Sequence, residues 1–586
     1  MKKNLYRTLL VTVLLADAVL LGLAGKREQK KRIYMAERPL VTIPAYADSL
    51  VLPPNIAPLG FTAECPDMKI KAVKFSAFVY PQADPANPIG TDTALAVGQI
   101  LFDPWPGKFE AQHLRQWHGL LAGAKNGFIR VEITAYPDGQ PDSLQCFPPL
   151  TWFIADEPID PYIIYRTSIF EDASYHHLVI EQKNIENFET QPLLDNFLMN
   201  RNCMNCHACE GNNINNFLVH LRGTLTGTLL ARDGELLKLK IPDSHPGLRL
   251  VYPSWHKGGD FIAFSTNQVY SQHFSTPNRK GLVTVDTLGD IVVLDTKTLE
   301  LFSCDELTSD EYDDVFPCFS ADGRSLFFCR APARGTEAER QALEKVRQQA
   351  RHTPADSLFF RTGERLENWM GVSDEQIEKA NALRADLMQI DFDPDTRRFS
   401  NLRTVARFSD MNRSVTMPFA SPDGEYLVVS VLPTTTFSVQ VMGDLYKIHL
   451  HDSTPSGMVP TGVECGYRIE PIHSLNTDGS ETFHSFSSNG RWMVFASNRE
   501  TFGIPELYIS YVSEGRFAKP FILPQAETDF YARNLRAFLF PFLSAEPAKF
   551  NATKTAEAAH GESVELKVID LDKYKTAARP ASESGP

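Results

Sequence analysis

The 586-residue chain lacks the short signatures of several large enzyme classes. It has no Gly-x-Ser-x-Gly elbow, no His-Glu-x-x-His pair and no phosphate-binding loop, which argues against the hydrolases, zinc proteases and nucleotide enzymes built on them. It is also short of positive charge. The 58 Lys and Arg against 72 Asp and Glu leave a net charge of −14, which repels phosphate backbones and excludes nucleic-acid binding through a general basic face. Hydrophobic residues at 43% and charged residues at 22% exclude a polytopic membrane protein and a mainly disordered one. Cysteine is scarce, with 9 residues, so any cluster of it is informative.

What is present points to β-structure. The 38 Phe, 39 Pro and 34 Gly suit many short strands joined by tight turns. At about 100–200 residues per domain, the chain has room for about two to five domains.

Residues 1–34 read as a targeting segment. Lys2, Lys3 and Arg7 precede an apolar run from Thr8 to Gly25, broken by Asp17. At about 18 residues the run is long for a cleaved signal and short for a spanning helix. Gly22 and Ala24 are small enough for cleavage after Ala24, and no Cys follows for lipid attachment. The basic flank Lys26 to Arg32 alone would suggest a membrane anchor with the body inside the cell. The expected outcome is export to the periplasm or cell envelope, by cleavage or with residues 8–25 kept as an anchor.

Residues 35–60 are Pro-rich and read as a linker. Residues 61–158 read as a β domain, with one short helix from Glu110 to Ala122 that puts Trp117, Leu120 and Leu121 on one face. Cys65 and Cys146 bracket it and could pair in an oxidising compartment. Residues 159–222 form a junction carrying a cysteine-rich loop.

Four later segments repeat one pattern. They begin at Pro253, Pro317, Pro418 and His484, and each runs through a polar turn closing on Gly (Gly259, Gly323, Gly424, Gly490) into an apolar strand. The Gly supplies the positive φ that a tight hairpin needs. Each is followed by a second echo, at Asp290–Asp295, Asp386–Asp391, Asp444–His449 and Glu506–Tyr511. Such units cannot bury both sheet faces alone and must stack, radially in a β-propeller.

The turn Ser421-Pro422-Asp423-Gly424 and its relatives resemble the repeat of the TolB-type, WD-like propellers. The likeness spans roughly 211 to 545 and departs from the pattern at Lys257-Gly258-Gly259 and at Asn489. It implies an exported propeller of five to seven blades, six favoured, that binds or scaffolds protein partners. Extra blades would come from Gly223 to Ile241, about Asp233-Gly234, and from Tyr162 to Thr167 with His177 to Ile185. The resulting fold class is mainly β: an N-terminal β domain, then a propeller over 223–545. A helical insertion at 334–385 interrupts it, with helices at Glu337–Arg351 and after the capping box Ser373-Asp374-Glu375-Gln376. The same repeat resembles the propeller of prolyl oligopeptidases, but the chain after Phe542 is too short for a hydrolase domain. The polar tail, 546–586, reads as mostly disordered, with one β-like run from Ser563 to Ile569.

Cys203-Met204-Asn205-Cys206-His207 is a Cys-x-x-Cys-His sequence, the attachment pattern for a c-type haem. Two thiols at this spacing can reach the two vinyl groups of one porphyrin, with the adjacent His on the iron. Cofactor-binding candidates are therefore Cys203, Cys206 and His207, with His207 as the iron ligand. His220 is named first for the opposite face, ahead of His176, His177 and Met199, and Arg222 is placed to pair with a propionate. Rival readings stay open. Cys209 extends the run towards an iron–sulfur or zinc set, but a fourth cluster Cys is missing and zinc spacing would be cramped. A redox dithiol lacks a thioredoxin-like context, and a structural disulfide is the plain alternative. The functional expectation is an exported propeller with one covalent haem, acting in electron transfer or redox sensing with an unnamed redox partner. The alternative is a non-catalytic scaffold whose cysteines are structural.

Overall fold

The computed structural model describes residues 32–575 apart from 36–40, 45, 65–68, 81–98, 103–106, 140–142, 170–176, 277–278, 334–383, 412, 433–442, 452–466 and 500–503. Residues 1–31 of the expected targeting segment, the Cys65 half of the suggested disulfide and residues 334–383 of the helical insertion lie outside the described residues. Among the described residues no helix is long and apolar enough to cross a membrane.

In the N-terminal domain, Ile70–Tyr80 pairs antiparallel with Phe128–Pro137. The helix Ala111–Gly123 lies beside this sheet and buries Trp117, Leu120 and Leu121. The stretch read as a linker is part of this core. Leu50–Leu52 pairs with Leu150–Ile154, and Leu50, Leu52, Ile56, Ala57 and Leu59 are all buried. Its prolines hid a short apolar series whose partner strand lies about 100 residues away in sequence.

Beyond this domain the described residues build six sheets, each around four antiparallel strands, with a two-stranded hairpin, Gln268–Thr276 and Arg279–Thr287, beside them. Taken from the innermost strand outwards, blade two is Met204–Glu210, Asn213–Leu221, Gly227–Arg232 and Glu235–Lys240. Blade three is Val251–Trp255, Phe261–Ser265, Ile291–Asp295 and Glu300–Phe302. Blade four is Tyr312–Phe319, Ser325–Pro332, Asp386–Asp393 and Arg398–Ala406. Blade five is Ser414–Ala420, Tyr426–Leu432, Asp444–His449 and Ile469–Pro471. Blade six is Glu481–Phe486, Trp492–Ser497, Glu506–Ser513 and Phe521–Ile522.

Blade one is made from both ends of this region. Its outer strands are Tyr162–Ile169, Leu178–Asn184 and Thr190–Asp195. Its inner strand, Arg536–Ser544, arrives more than 360 residues later and pairs with Tyr162–Ile169. This pairing closes six sheets into a ring, and the architecture is a six-bladed propeller. The junction expected at 159–222 is therefore most of blade one and the inner half of blade two. The N-terminal domain shares one apolar core with blades six and one, including Trp152, Ile159, Trp492, Val494 and Leu543.

The repeated turns have a common chemistry. In blades four, five and six, Ser320, Ser421 and Ser487 donate to Asp322, Asp423 and Asn489 at 2.6, 2.6 and 2.7 Å. The same Ser oxygens accept the amides of Ser325, Tyr426 and Trp492. The Gly that follows, Gly323, Gly424 or Gly490, has φ of 72°, 77° or 66°, a region open to Gly at little cost.

The tail is ordered to Lys575, against the disorder expected from its polarity. Asn551 caps the helix Ala552–His560 by accepting from the Lys554 amide. Ser563–Glu565 and Lys567–Val568 then add parallel fifth strands to blades two and three. Leu566, Leu571 and Tyr574 enter the core between those blades. These three widely spaced residues hold the strap, and both added strands fall within the β-like run Ser563 to Ile569. At its end Tyr574 donates its hydroxyl to Asp290 and accepts from Thr266 at 3.1 Å. Tyr574→Phe should cost about 1–3 kcal/mol by leaving buried polar atoms without this partner, measured by urea unfolding at pH 7.

Candidate functional site

The inner strand of every blade carries a β-bulge at the same place, and at each bulge one non-Gly residue has positive φ. These are Cys206 (54°), Tyr252 (48°), Phe316 (54°), Met417 (50°), Phe483 (51°) and Phe540 (54°). The ladder of each inner strand skips at this point, as an inserted residue requires. The residue that follows is His207, Pro253, Pro317, Pro418, His484 or Pro541. The four repeat starts found in the sequence are thus equivalent, and His207 and Pro541 complete the set. Proline is tolerated there because the bulge leaves that amide out of the ladder.

The six bulge residues form a ring about the propeller axis. Tyr252 and Phe316 rings lie 4.2 Å apart, and Phe483 and Phe540 rings 4.0 Å apart. The Cys206 thiol receives the Tyr252 backbone amide. Positive φ is unfavourable for such residues, costing on the order of 1–3 kcal/mol each, and dense packing holds them there. Only Cys206 is not large in this ring.

The Cys-x-x-Cys-His sequence is therefore blade two's inner strand. Cys203, Cys206 and Cys209 are free thiols. Cys203 packs against the apolar cluster between blades one and two, to which Cys209 and Met199 also belong. Cys206 is buried and looks instead towards blade three, through Tyr252. The His207 ring is 2% exposed and sits among Phe217, Phe540 and Phe542 at 5.6–6.1 Å. Neither of its nitrogens makes a hydrogen bond of good geometry. Burial, then the nearby Arg166 charge, pushes its pKa down to about 3, with the Phe540 backbone only partly opposing. Arg166 itself donates to Asn205 at 2.6 Å and lies over the Phe540 ring.

His220 packs on the other side of the blade. Its ring meets Phe264 of blade three at 5.7 Å, whereas His207 faces blade one. It shares a hydrogen bond of 2.7 Å with Thr228, and burial and then Arg222 lower its pKa to about 3. The structure does not bring His207 and His220 to one space. His177 stacks on Phe197 with Asp195 at 3.5 Å, and Met199 is fully buried in the cluster between blades one and two. His176 lies outside the described residues.

A covalent haem needs two thiols and one imidazole to meet a single porphyrin plane. As folded, Cys206 and His207 line the axial cavity while Cys203 packs into the cluster between blades one and two, and phenyl rings surround the imidazole, so the three do not fit the group. Among the described residues, no group of three or more His, Cys, Asp or Glu is arranged to hold a metal ion. Burial raises the thiol pKa of Cys206 and Cys209, which keeps both protonated and unreactive at neutral pH.

The bulge ring also floors a cavity of about 460 Å³ lined by the inner strands of all six blades. The sequence reading missed this ring. The signal was one residue upstream of each repeat start, where Tyr252, Phe316, Met417 and Phe483 stand. The outer strands of blades one and two were read as extra blades, but their inner strands escaped: one lies more than 360 residues from its partner, and the other turns through Glu210-Gly211-Asn212.

No family model matches the chain, and no curated protein matches it. Solved structures do resemble it: TolB from Acinetobacter baumannii (13% identity, TM-score 0.37, covering 70% of this chain and 78% of that one) and a hypothetical selenium-binding protein from Sulfolobus tokodaii (8%, 0.34, 68% and 96%). Prolyl oligopeptidase B from Galerina marginata is similar at 11% identity and a TM-score of 0.30, covering 62% of this chain but only 44% of that one. At identities and scores this low, the propeller rests on the strand order itself.

Two outcomes follow from this geometry. Cys206→Gly should stay within about 1 kcal/mol of wild type because Gly accepts positive φ, whereas Cys206→Val should lose about 1–3 kcal/mol, both read by urea unfolding. The second concerns pH. His207 and His220 have folded pKa values near 3, below the unfolded value of about 6.5. The unfolded chain then binds more protons below that value, so stability is full above about pH 6.5 and falls as pH drops towards 3. The double variant His207→Phe, His220→Gln should flatten this slope in unfolding measured from pH 7 to 4.

Proposed function

We propose that this chain is a non-catalytic binding propeller of the cell envelope, whose blade-two cysteines are structural and whose partners include other proteins. The observation that carries this reading is positional. Cys206-His207 occupies the bulge slot filled by Tyr252-Pro253, Phe316-Pro317, Met417-Pro418, Phe483-His484 and Phe540-Pro541. A dipeptide that serves the repeat in blade two has a structural reason to exist without a cofactor. An address outside the cytoplasm is supported by the basic and apolar N-terminal segment of the sequence.

The deciding experiment is maturation of the full chain in a host able to attach c-type haem, followed by a haem stain of the denatured protein. The expected result is no retained haem, with C203A/C206A remaining folded by circular dichroism. Haem that stays with the wild-type chain and is lost in the double variant would replace this reading with the redox one.

A further inference from the structure

The cavity on the propeller axis has a defined shape. Its floor is the bulge ring, and no residue that precedes the bulge on any inner strand lines it. Its walls include Trp255, Phe319, Phe419, Phe486 and Phe542. Its mouth lies at the hairpin turns, where Asn212, Lys257, Ala321, Pro422 and Ser488 stand. At about 460 Å³ it is a blind funnel within the size range of small-molecule sites.

Three properties of the lining select what it can hold. The first is charge. Only Glu210 and Lys257 carry formal charge, and both belong to the rim; deeper in, the titratable lining is imidazole, thiol and the Tyr252 phenol. Burial drives His207 to about 3 and His484 to about 4, and it lifts Cys318 to about 12, so all three are neutral at pH 7. An ionised group placed in the funnel would lose its hydration with no charged side chain in the inner lining to meet it, since the Arg166 guanidinium lies behind the floor over the Phe540 ring, and such burial is unfavourable.

The second is the backbone. An inner strand would ordinarily offer its free edge to an added peptide strand. Here Pro253, Pro317, Pro418 and Pro541 have no N–H to give. Neighbouring blades consume much of what remains. The Phe319 amide donates to Ser254 at 3.0 Å, the Pro541 carbonyl accepts from Ser485 at 2.8 Å, and the Phe486 carbonyl accepts from Asn212 at 2.7 Å. A peptide in the funnel would leave its own backbone groups buried and unmet. The third is the aromatic surface of floor and walls, which rewards a flat apolar body.

We propose that this funnel binds a small, uncharged, planar and largely apolar molecule that enters from the hairpin-turn side. The proposal rests on the reading of the chain as a binding propeller and names the class of ligand.

The test uses two fluorescent probes on the full chain. N-phenyl-1-naphthylamine is uncharged and aromatic, and 1-anilinonaphthalene-8-sulfonate adds a fixed negative charge to a closely related skeleton. The expected result is saturable binding of the uncharged probe with energy transfer from Trp255 that falls in Trp255→Phe. The sulfonate should bind about tenfold or more weakly, because no charged side chain lines the depth of the funnel to receive it. Ala420→Trp, which adds bulk to the lining, should weaken the uncharged probe about tenfold while circular dichroism stays native. If that variant does not fold, the Trp255→Phe comparison decides. Absence of saturable binding, equal affinity for both probes, or transfer unchanged by Trp255→Phe would overturn the proposal. Displacement of the probe by a random decapeptide pool, but not by uncharged naphthalenes, would assign the funnel to peptides and also overturn it. The haem stain is read separately. Probe binding that persists in a haem-bearing chain would support the funnel while removing the preceding reading.

Discussion

The antiparallel pairing of Arg536–Ser544 with Tyr162–Ile169 holds the molecule in a ring. Each blade buries its faces only against two neighbours, so an open row of six would leave both end sheets bare. Because the innermost strand of blade one comes from the far end of the propeller region, the ring cannot open at blade one without breaking a ladder. The tail reinforces this seam. After completing blade one it runs along the outer rims of blades two and three, adding a second tie across the place where the ring was closed.

The ring brings six bulges to one axis. A bulge bends its strand and turns a side chain aside. Repeated at one level in six inner strands, it places large side chains across the channel and stops it. The positive φ at Phe316, Phe483 and the rest opposes folding locally and is sustained by packing between blades. The cavity above this floor thus exists because of strain that the surrounding sheets oppose.

The same constraint explains the cysteine motif. Read along the chain, Cys203 to His207 is a compact set of ligands. Read around the axis, Cys206 is a bulge residue, His207 fills the proline position, and Cys203 belongs to the packing under blade one. Strand geometry sends neighbouring side chains to opposite faces, and the bulge turns Cys206 further. Closeness in sequence therefore did not become convergence in space. His220, thirteen residues on, was carried to the opposite face of the same blade.

The sequence by itself determined the local repeat: strand, Ser-x-Asp-Gly turn, strand, and the β-rich class that follows from stacking such units. Those features depend on φ preferences and hydrogen bonds within a few residues, so Gly323, Gly424 and Gly490 announced them directly. The helix with Trp117, Leu120 and Leu121 on its buried face was legible for the same reason. Only the tertiary structure decided how the ring closes, that Leu50 to Leu59 and the tail as far as Lys575 are built into the fold, and that Tyr252, Phe316, Met417, Phe483 and Phe540 meet Cys206 on one axis. Each of these depends on contacts between segments tens to hundreds of residues apart. No local propensity encodes them, because a side chain's direction there is set by the neighbouring blade.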